Sequence, residues 1–388
     1  MSVASHTRWP AVFAAFFAGV VGAFAFGKMS PALPLLKEEF GLSLIAAGWL
    51  VSAFNAIAAT GALFFGAFAD RFGALRFCMS GVLLIALRLV EGLGFLAVVV
   101  SAPALIVAAT APKGRGMAFG LWATYLPLGV SAVIAASPLL LADFGWRAMW
   151  LAVAAAGGAC ALMLAAQSTG YAGVTRGAHR SLANLRSSLA QPVPWLLGVA
   201  FAMYAIQHIT LIVWLPTYLQ DTRGIGATAA ALATALAVFA NCFGNLLGGW
   251  LIQRNFGRGR IIGATFLVTS LLFVGIFAAS LPDIWRYVLA VFYSFVTGTV
   301  PSAALSAGMR YARSPGELGA IQGLIVNIVH AGIFVGPPLV AATVTWAGSW
   351  DAVLWPMLGC AAVALAAAFA IDRYEREARP GSVKGSAP

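Results

Sequence analysis

The chain has 388 residues, of which 61% are apolar and only 9% carry a formal charge. Soluble domains carry about 25% charged residues, so this composition excludes a water-soluble globular protein. The net charge of +11 does not indicate a nucleic-acid partner, because the basic residues lie in short loops between apolar runs. Apolar runs of about 20 residues recur from end to end, which predicts an all-α protein that crosses the lipid bilayer many times.

The predicted spans fall into two groups separated by a polar stretch. In chain order they are 9–30, 42–68, 117–141, 146–167, 194–219, 226–253, 261–281, 284–309, 318–345 and 351–371. The first span is interpreted as a helix that is kept, because no small-residue cleavage site of a signal peptide follows it. We therefore expect four regions: an N-terminal helical bundle, a cytoplasmic linker, a C-terminal helical bundle and a cytoplasmic tail, over 1–167, 168–193, 194–372 and 373–388.

The two groups of spans resemble each other in sequence. Residues 55–73 and 241–257 both begin with an asparagine inside a span and end in a glycine-rich turn that bears arginine. Internal repeats on either side of a central loop are typical of secondary transporters.

Basic residues favour one side of the predicted membrane. With the N-terminus in the cytoplasm, the cytoplasmic segments hold 17 of the 23 Lys and Arg residues, as the positive-inside rule requires. This orientation demands two crossings within residues 77–111, which lie between two basic loops. Two spans of about 20 residues and a turn do not fit easily into that segment. A turn midway would bring Arg88 and Glu91 to the outer surface.

Two motifs resemble signatures of the major facilitator superfamily. GAFADRFGALR (66–76) resembles the loop between the second and third helices of that family. LRLVEGLGF (87–95) resembles its fourth-helix signature, an arginine followed by two glycines. Within the family, GLWATYLPLG (120–129) and GNLLGGWLI (244–252) are similar in character to the cyanate and nitroimidazole permease branch.

The resemblance implies an all-α fold of two pseudo-symmetric six-helix bundles whose third helix is short or missing. Residues 77–87 are then the remnant of the third helix, and Arg88 belongs inside the fourth. The resemblance also implies a monomer in the bacterial inner membrane, with both termini cytoplasmic. It gives the cytoplasmic loop the role of a latch that holds one conformation, with the residues Asp70, Arg71, Gly73 and Arg76.

Arg88 and Glu91 are the charged candidates inside the apolar runs. The planar guanidinium of Arg88 is suited to hold an anion. Glu91 is the only acid in the interior of an apolar run and therefore the candidate proton carrier. The alternative for both is a structural ion pair between them, one helical turn apart, because charges at the bilayer centre are costly unless paired.

Other polar residues in the spans are candidates to line a substrate cavity. Tyr204, Gln207 and His208 share one helix face at spacings i, i+3 and i+4, and each histidine is a candidate for titration near neutrality. The alternative is that these groups join helices by hydrogen bonds. The same two interpretations apply to the remaining candidates, which are Asn55, Tyr125, Asn241, Asn327, His330 and, nearer the outer edge, Lys28.

The sequence thus predicts a secondary transporter working by alternating access for a small organic or inorganic anion, cyanate-like or a carboxylate. A proton is the candidate coupling ion. The alternatives are a drug or amphiphile exporter of the same superfamily and a membrane sensor on a transporter scaffold. No P-loop or catalytic set occurs, so no enzyme activity is expected. The four cysteines are widely separated in apolar runs, and no metal or cofactor is expected.

Overall fold

A computed structural model describes most of the chain, and every regular element in the described part is a helix. The described residues are 6–56, 88–111, 115–171, 187, 189–278, 280–306, 311 and 315–377. The four predicted latch residues, the end of the predicted span 42–68 and residues 77–87 lie outside the described residues.

The first half contains six described helices. They are α1 Trp9–Gly27, α2 Met29–Phe40, α3 Leu44–Ala56, α4 Arg88–Ala109, α5 Arg115–Ala123 and α6 Tyr125–Ala166. The first predicted span is too short, because Lys28 keeps helical angles and the helical run continues to Phe40. Pro31 does not interrupt the run, since it lies in the first turn of α2, where a backbone N–H is not needed. Gly41 then ends α2 with a left-handed φ of 60°, the usual cap for glycine.

The long helix α6 contains two of the predicted spans. Gly145 interrupts it with φ 69° and ψ 179°, a conformation that is accessible to glycine and strained for other residues. The predicted division between the spans 117–141 and 146–167 is thereby confirmed at Gly145.

The helix α4 decides how the crowded segment 77–111 is arranged. Residues Arg88 to Ala109 form one helix of 22 residues, and the carbonyl of Ala109 accepts a hydrogen bond from the backbone N–H of Arg8 at 2.8 Å. The alternative of a turn midway through 77–111 is therefore wrong. Arg88 and Glu91 belong to a helix long enough to span the membrane, and its place as the fourth helix stays a prediction, because residues 57–87 lie outside the described part.

The second half contains seven described helices. They are α7 Pro192–Arg223, α8 Ala227–Gln253, α9 Arg258–Ile276, α10 Asp283–Thr297, α11 Thr299–Leu305, α12 Pro315–Ala347 and α13 Leu354–Glu377. The first residues of the predicted tail are helical, because α13 continues to Glu377. Salt bridges at i, i+4 stabilise its last turn, one from Arg373 to Glu377 and one from Arg376 to Asp372.

Helices pack closely within and between the halves. In the first half α1 packs on α4 and α6, and in the second half α7 packs on α12 and α13. Glycines permit two of the close crossings, since a Cβ atom at Gly92 would overlap the carbonyl of Phe54 and one at Gly244 would overlap that of Phe295. Between the halves, α6 packs on α8.

The outer surface of the bundle is apolar. Nine of the described segments are long and apolar enough to cross a membrane. Large apolar side chains project outward from them, among them Leu139, Leu162 and Phe369, each about three-quarters exposed. Such a surface requires lipid around it, and the chain is an integral membrane protein.

Candidate functional site

One face of α12 contacts the first half over its middle turns. Val326 packs against Leu96. One helical turn further, the ring of His330 lies 6.3 Å from that of Phe95 between centroids. These residues of α12 share a face at i and i+4, so this face of α12 points toward α4.

The same face continues toward α3. The ring of Phe334 lies 5.4 Å from that of Trp49, and a Cβ atom at Gly48 would lie 3.1 Å from the carbonyl oxygen of Pro337. We call this line of contact between the halves the seam, from Leu96–Val326 at one end to Gly48–Pro337 at the other.

The seam closes the distal end of the bundle, which is the end opposite to Arg8 and Glu377. Besides the contact at Gly48, the hydroxyl of Ser30 on α2 donates a hydrogen bond to the carbonyl of Ile212 on α7. The two halves therefore touch at the distal end through α2 and α7 as well as through α3 and α12.

Two polar side chains of α3 face the seam below this closure. Gly48, Ser52 and Asn55 lie at i, i+4 and i+7 and therefore on one face of the helix, the face that contacts α12 at Gly48. Ser52 is 0% exposed and Asn55 is 1% exposed. Within the described part of the chain, neither the Ser52 hydroxyl nor either amide atom of Asn55 has a hydrogen-bond partner.

A buried ion pair joins α1 to α4. The Lys28 Nζ atom lies 2.5 Å from Glu91 Oε1, and both side chains are at most 1% exposed. The Lys28 ammonium also lies 4.4 Å from the centroid of the Trp150 ring, within the range of a cation–π interaction. Charges so deep are retained in membrane proteins chiefly when they are paired and functional.

This ion pair bears on two expectations. Lys28 lies about 28 Å along the helix axis from Trp9 at about 1.5 Å per residue, close to the roughly 30 Å thickness of a hydrocarbon core, so its place nearer the outer edge stays a prediction. Glu91 pairs with Lys28, a partner that the sequence did not suggest. Arg88 belongs to α4, and its side chain is outside the described part of the chain, so its pairing with Glu91 also stays a prediction.

Three phenylalanines bring the ion pair to the level of the seam. The rings of Phe26, Phe54 and Phe95 lie 5.6 to 6.1 Å apart between centroids, so α1, α3 and α4 meet there. Lys28 follows Phe26 by two residues, Asn55 follows Phe54 directly, and Glu91 precedes Phe95 by one turn. Since Glu91 and Phe95 share a helix face and Phe95 contacts His330, the ion pair adjoins the seam.

The second half contributes His330 and Asn327 to the seam. The His330 Nδ1 atom lies 2.8 Å from the carbonyl oxygen of Val326. Its Nε2 atom and the Asn327 Oδ1 atom are buried and have no hydrogen-bond partner in the described part. Asn327 and His330 lie at i and i+3 along α12, as the sequence showed. Their two polar atoms without hydrogen-bond partners therefore lie on one face of that helix.

The other predicted residues of the second half contact one another and neighbouring helices. Tyr204 donates from its hydroxyl to Asn241 Oδ1 at 3.3 Å, and Asn241 Nδ2 donates to the carbonyl of Ser294 at 2.7 Å. Gln207 Nε2 donates to the carbonyl of Met357 on α13 at 2.8 Å. His208 stacks on Tyr204 with centroids 5.2 Å apart. This cluster joins α7, α8, α10 and α13, as interhelical hydrogen bonding predicts.

Tyr125 lies apart from both groups. Its ring stacks on Trp122 at 4.3 Å between centroids, and a Cβ atom at Gly19 would lie 2.9 Å from its ring. Tyr125 therefore packs against α1 in the first half.

The sequence did not reveal the Lys28–Glu91 pair or Ser52. Lys28 and Glu91 are 63 residues apart, and no pattern in one sequence connects them. Ser52 precedes Asn55 at i, i+3, so its place on the same polar face was a usable signal.

Comparisons with known proteins identify the family. The family model of the Major Facilitator Superfamily matches residues 15–337, which is most of the chain. The chain belongs to the Major Facilitator Superfamily. In agreement, the structure of a bacterial homologue of the human lysosomal transporter Spinster, in an inward-facing and occupied conformation, superposes with a TM-score of 0.73. That alignment covers 97% of this chain and 99% of the other, at 16% sequence identity, and shows the shared fold.

Curated relatives of this superfamily member are transporters. The probable sulfoacetate transporter SauU of Cupriavidus necator is 26% identical over 60% of this chain, and the match spans only 61% of that relative's length. The hexuronate transporter of Bacillus subtilis is 20% identical over 96% of both chains. The likeness to the cyanate and nitroimidazole permease branch stays a prediction.

Proposed function

We propose that this major facilitator protein is a secondary transporter that carries a small anion together with a proton. The two halves rock about the seam, so that the site is reached from each side of the membrane in turn. Alternating access about a midplane site between repeats is the general mode of such folds.

The observation that carries the proposal is the buried Lys28–Glu91 ion pair beside the seam. An anion that enters the seam competes with Glu91 for the ammonium group of Lys28. When Lys28 pairs with the anion, the Glu91 carboxylate loses that partner in a water-poor site, where an uncompensated charge costs several kcal/mol. Protonation of Glu91 removes this cost, so binding of the anion favours binding of the proton.

The names of two relatives support an anionic substrate. One is a probable sulfoacetate transporter and the other a hexuronate transporter, and both named substrates are organic anions. We extend the anionic character to this chain and leave the particular compounds with those relatives.

The predicted site residues take different parts in this proposal. Lys28 holds the anion and Glu91 carries the proton. Arg88 lies one helical turn before Glu91 and is proposed as a second cation for the anion. Asn55, Asn327 and His330 line the seam. The cluster of Tyr204, Gln207, His208 and Asn241 shapes the second-half wall, and Tyr125 the first-half wall.

We propose that both termini face the cytoplasm of a bacterial inner membrane, since basic residues concentrate on that side. The closed distal end then faces outward. Asp70, Arg71, Gly73 and Arg76 remain proposed as the cytoplasmic latch, and a monomer as the working unit.

The test measures anion uptake by the purified protein in proteoliposomes with an inward proton gradient. Glu91→Gln should still exchange the anion across the membrane but should lose accumulation driven by the gradient. Lys28→Gln should lose both by about 100-fold, since a charged partner of a buried anion contributes a few kcal/mol. Arg147→Gln is the matched control, because Arg147 also pairs with a glutamate but is 67% exposed.

Accumulation by Glu91→Gln at the wild-type level would contradict proton coupling through Glu91. Uptake of amphiphilic cations, with none of any anion, would instead support the drug-exporter alternative. Ligand binding without any flux would support the sensor.

A further inference from the structure

The seam carries buried hydrogen-bond acceptors that have no donor. Neither amide atom of Asn55 has a partner in the described part of the chain. Either orientation of this amide therefore leaves an oxygen atom that accepts and an NH2 group that donates. The Asn327 Oδ1 atom, on the opposite side of the seam, has no partner either.

The unpaired nitrogen of His330 is also an acceptor when the ring is neutral. Its Nδ1 atom lies 2.8 Å from the carbonyl oxygen of Val326. A carbonyl oxygen can only accept, so Nδ1 carries the ring proton and donates it. In the neutral imidazole the Nε2 atom then has a free lone pair, and it has no partner in the described part.

These acceptors lie near two aromatic contacts that cross the seam, with His330 a member of one of them and Asn327 about one turn beyond it on α12. Trp49 and Phe334 meet on the distal side at 5.4 Å between centroids. Phe95 and His330 meet on the other side at 6.3 Å. On α3, Asn55 follows Trp49 by six residues and Ser52 lies between them. This stretch of the seam adjoins the Lys28–Glu91 pair. The Lys28 ammonium group and the hydrogen-bond acceptors therefore lie in one region of the protein.

An inorganic oxyanion satisfies only part of such a region. Nitrate and cyanate accept hydrogen bonds and donate none, so they could accept from Asn55 Nδ2 and the Ser52 hydroxyl but would leave Asn327 Oδ1 and His330 Nε2 without a donor. Buried acceptors left without donors weaken binding. A ligand whose hydroxyl groups donate to these atoms, while its carboxylate pairs with Lys28, satisfies all of them.

We infer that the substrate is a hydroxylated organic anion, with its carboxylate at Lys28 and its hydroxyl groups at Asn55 and His330. This inference rests on the proposed function, because it assigns a substrate class to the same site. Ser52 is a further specificity residue, since its buried hydroxyl both donates and accepts and lies on the face of Asn55. Sites built to hydrogen-bond a substrate hydroxyl discriminate strongly against analogues that lack it.

The test compares matched carboxylates in proteoliposomes of the full chain. Gluconate and hexanoate have the same number of carbon atoms and differ mainly in hydroxyl groups. The same holds for 3,4-dihydroxybenzoate and benzoate, and nitrate represents an anion without donors. In at least one pair the hydroxylated member should be taken up at least about 10-fold faster than its partner and than nitrate.

Two variants assign that preference to the seam. Asn55→Leu and His330→Phe keep the approximate side-chain volume and remove the acceptors, so each should reduce the preference to near unity. Thr217→Val is the control, because Thr217 also has a buried hydroxyl without a partner in the described part but belongs to α7, which carries none of the proposed acceptors. Equal thermal midpoints of unfolding would show that the variants are folded.

The outcomes separate the two levels of the proposal. Hexanoate, benzoate or nitrate carried as fast as the hydroxylated compounds would overturn the inference and leave the anion transporter intact. A preference that persists in both variants would also overturn it. Failure of all five anions to move would contradict the proposed function itself.

Discussion

At the scale of single residues, the ion pair between Lys28 and Glu91 is the most consequential contact. Both charges are withdrawn from water, and the Trp150 ring lies against the ammonium group. Such a pair adds little stability compared with an apolar pair, but the loss of one partner leaves a buried charge. The pair is therefore better suited to a role in which an anion replaces Glu91 at Lys28 than to a role in stabilising the fold.

We predict that Lys28→Met lowers the free energy of unfolding by about 3–5 kcal/mol at neutral pH, because it leaves Glu91 without this cation. The double variant Lys28→Met/Glu91→Gln should recover most of that loss, since no charge remains at the pair. Chemical unfolding in detergent measures both. An equal loss in the double variant would show that packing, and not charge, determines the effect.

His330 and Asn55 illustrate why residue type alone does not identify a role. Both were candidates from the sequence as polar groups at mid-span. Their value as acceptors depends on the Val326 carbonyl that fixes the imidazole proton and on the lack of partners around Asn55 in the described part. These are properties of the packed helices.

At the scale of elements, glycines determine where helices end and how closely they cross. Gly145 divides α6 with a positive φ, and it joins two spans of the first half. Gly158, in the same long element, is helical, and a Cβ atom there would meet nothing within 4 Å.

We predict opposite effects for alanine at these two positions. Gly145→Ala should lower the free energy of unfolding by about 1–3 kcal/mol, because a non-glycine residue is strained at that φ and ψ. Gly158→Ala should be neutral or stabilising by up to about 1 kcal/mol, because alanine loses less conformational entropy in a helix. Thermal unfolding of the two variants side by side measures the difference, and equal midpoints would contradict the strain at Gly145.

Salt bridges within the last turn of α13 favour the helix beyond the end of the apolar span. The hydropathy of the sequence ends the last span at 371, whereas the helix continues to Glu377. Its i, i+4 pairs of Arg373 with Glu377 and Asp372 with Arg376 favour helix in water, where hydropathy carries no information.

At the scale of the whole molecule, the contacts of α3 with α12 and of α2 with α7 hold the distal end closed. In a carrier with alternating access these contacts must form and break in each cycle. Gly48 is essential to this closure. Its backbone approaches Pro337 and Pro338 with no side chain between them.

We predict that Gly48→Leu prevents this closure and traps the distal end open. Transport should fall by at least about 10-fold, while the folded protein still binds its anion, since packed interfaces switch between discrete states and do not deform continuously. Labelling of a cysteine placed at Ser30 reports the opening from the distal side.

The control is Gly359→Leu on α13, because a Cβ atom at Gly359 meets nothing within 4 Å. It should transport at the wild-type rate, and its cysteine at position 30 should stay protected. Protection in Gly48→Leu equal to that in the control would show that the seam closes without the glycine.

The sequence by itself determined the class of this protein. Hydropathy predicts the spans, because lipid offers no hydrogen bonds. Each segment in it must therefore be a helix that pairs its own backbone groups and carries mainly apolar side chains. The motif around Arg88 placed that residue in a helix, and Arg88 belongs to α4. Asn55 and His330 were found because polar groups in an apolar run are costly and therefore few.

Tertiary structure decided which of these groups act together. Lys28 meets Glu91 across 63 residues of chain, and α12 meets α3 and α4 from the other half. Contacts at such separations depend on how helices cross and in which rotation they face each other. A pattern along one helix gives its own polar face, but not the helix that this face will meet.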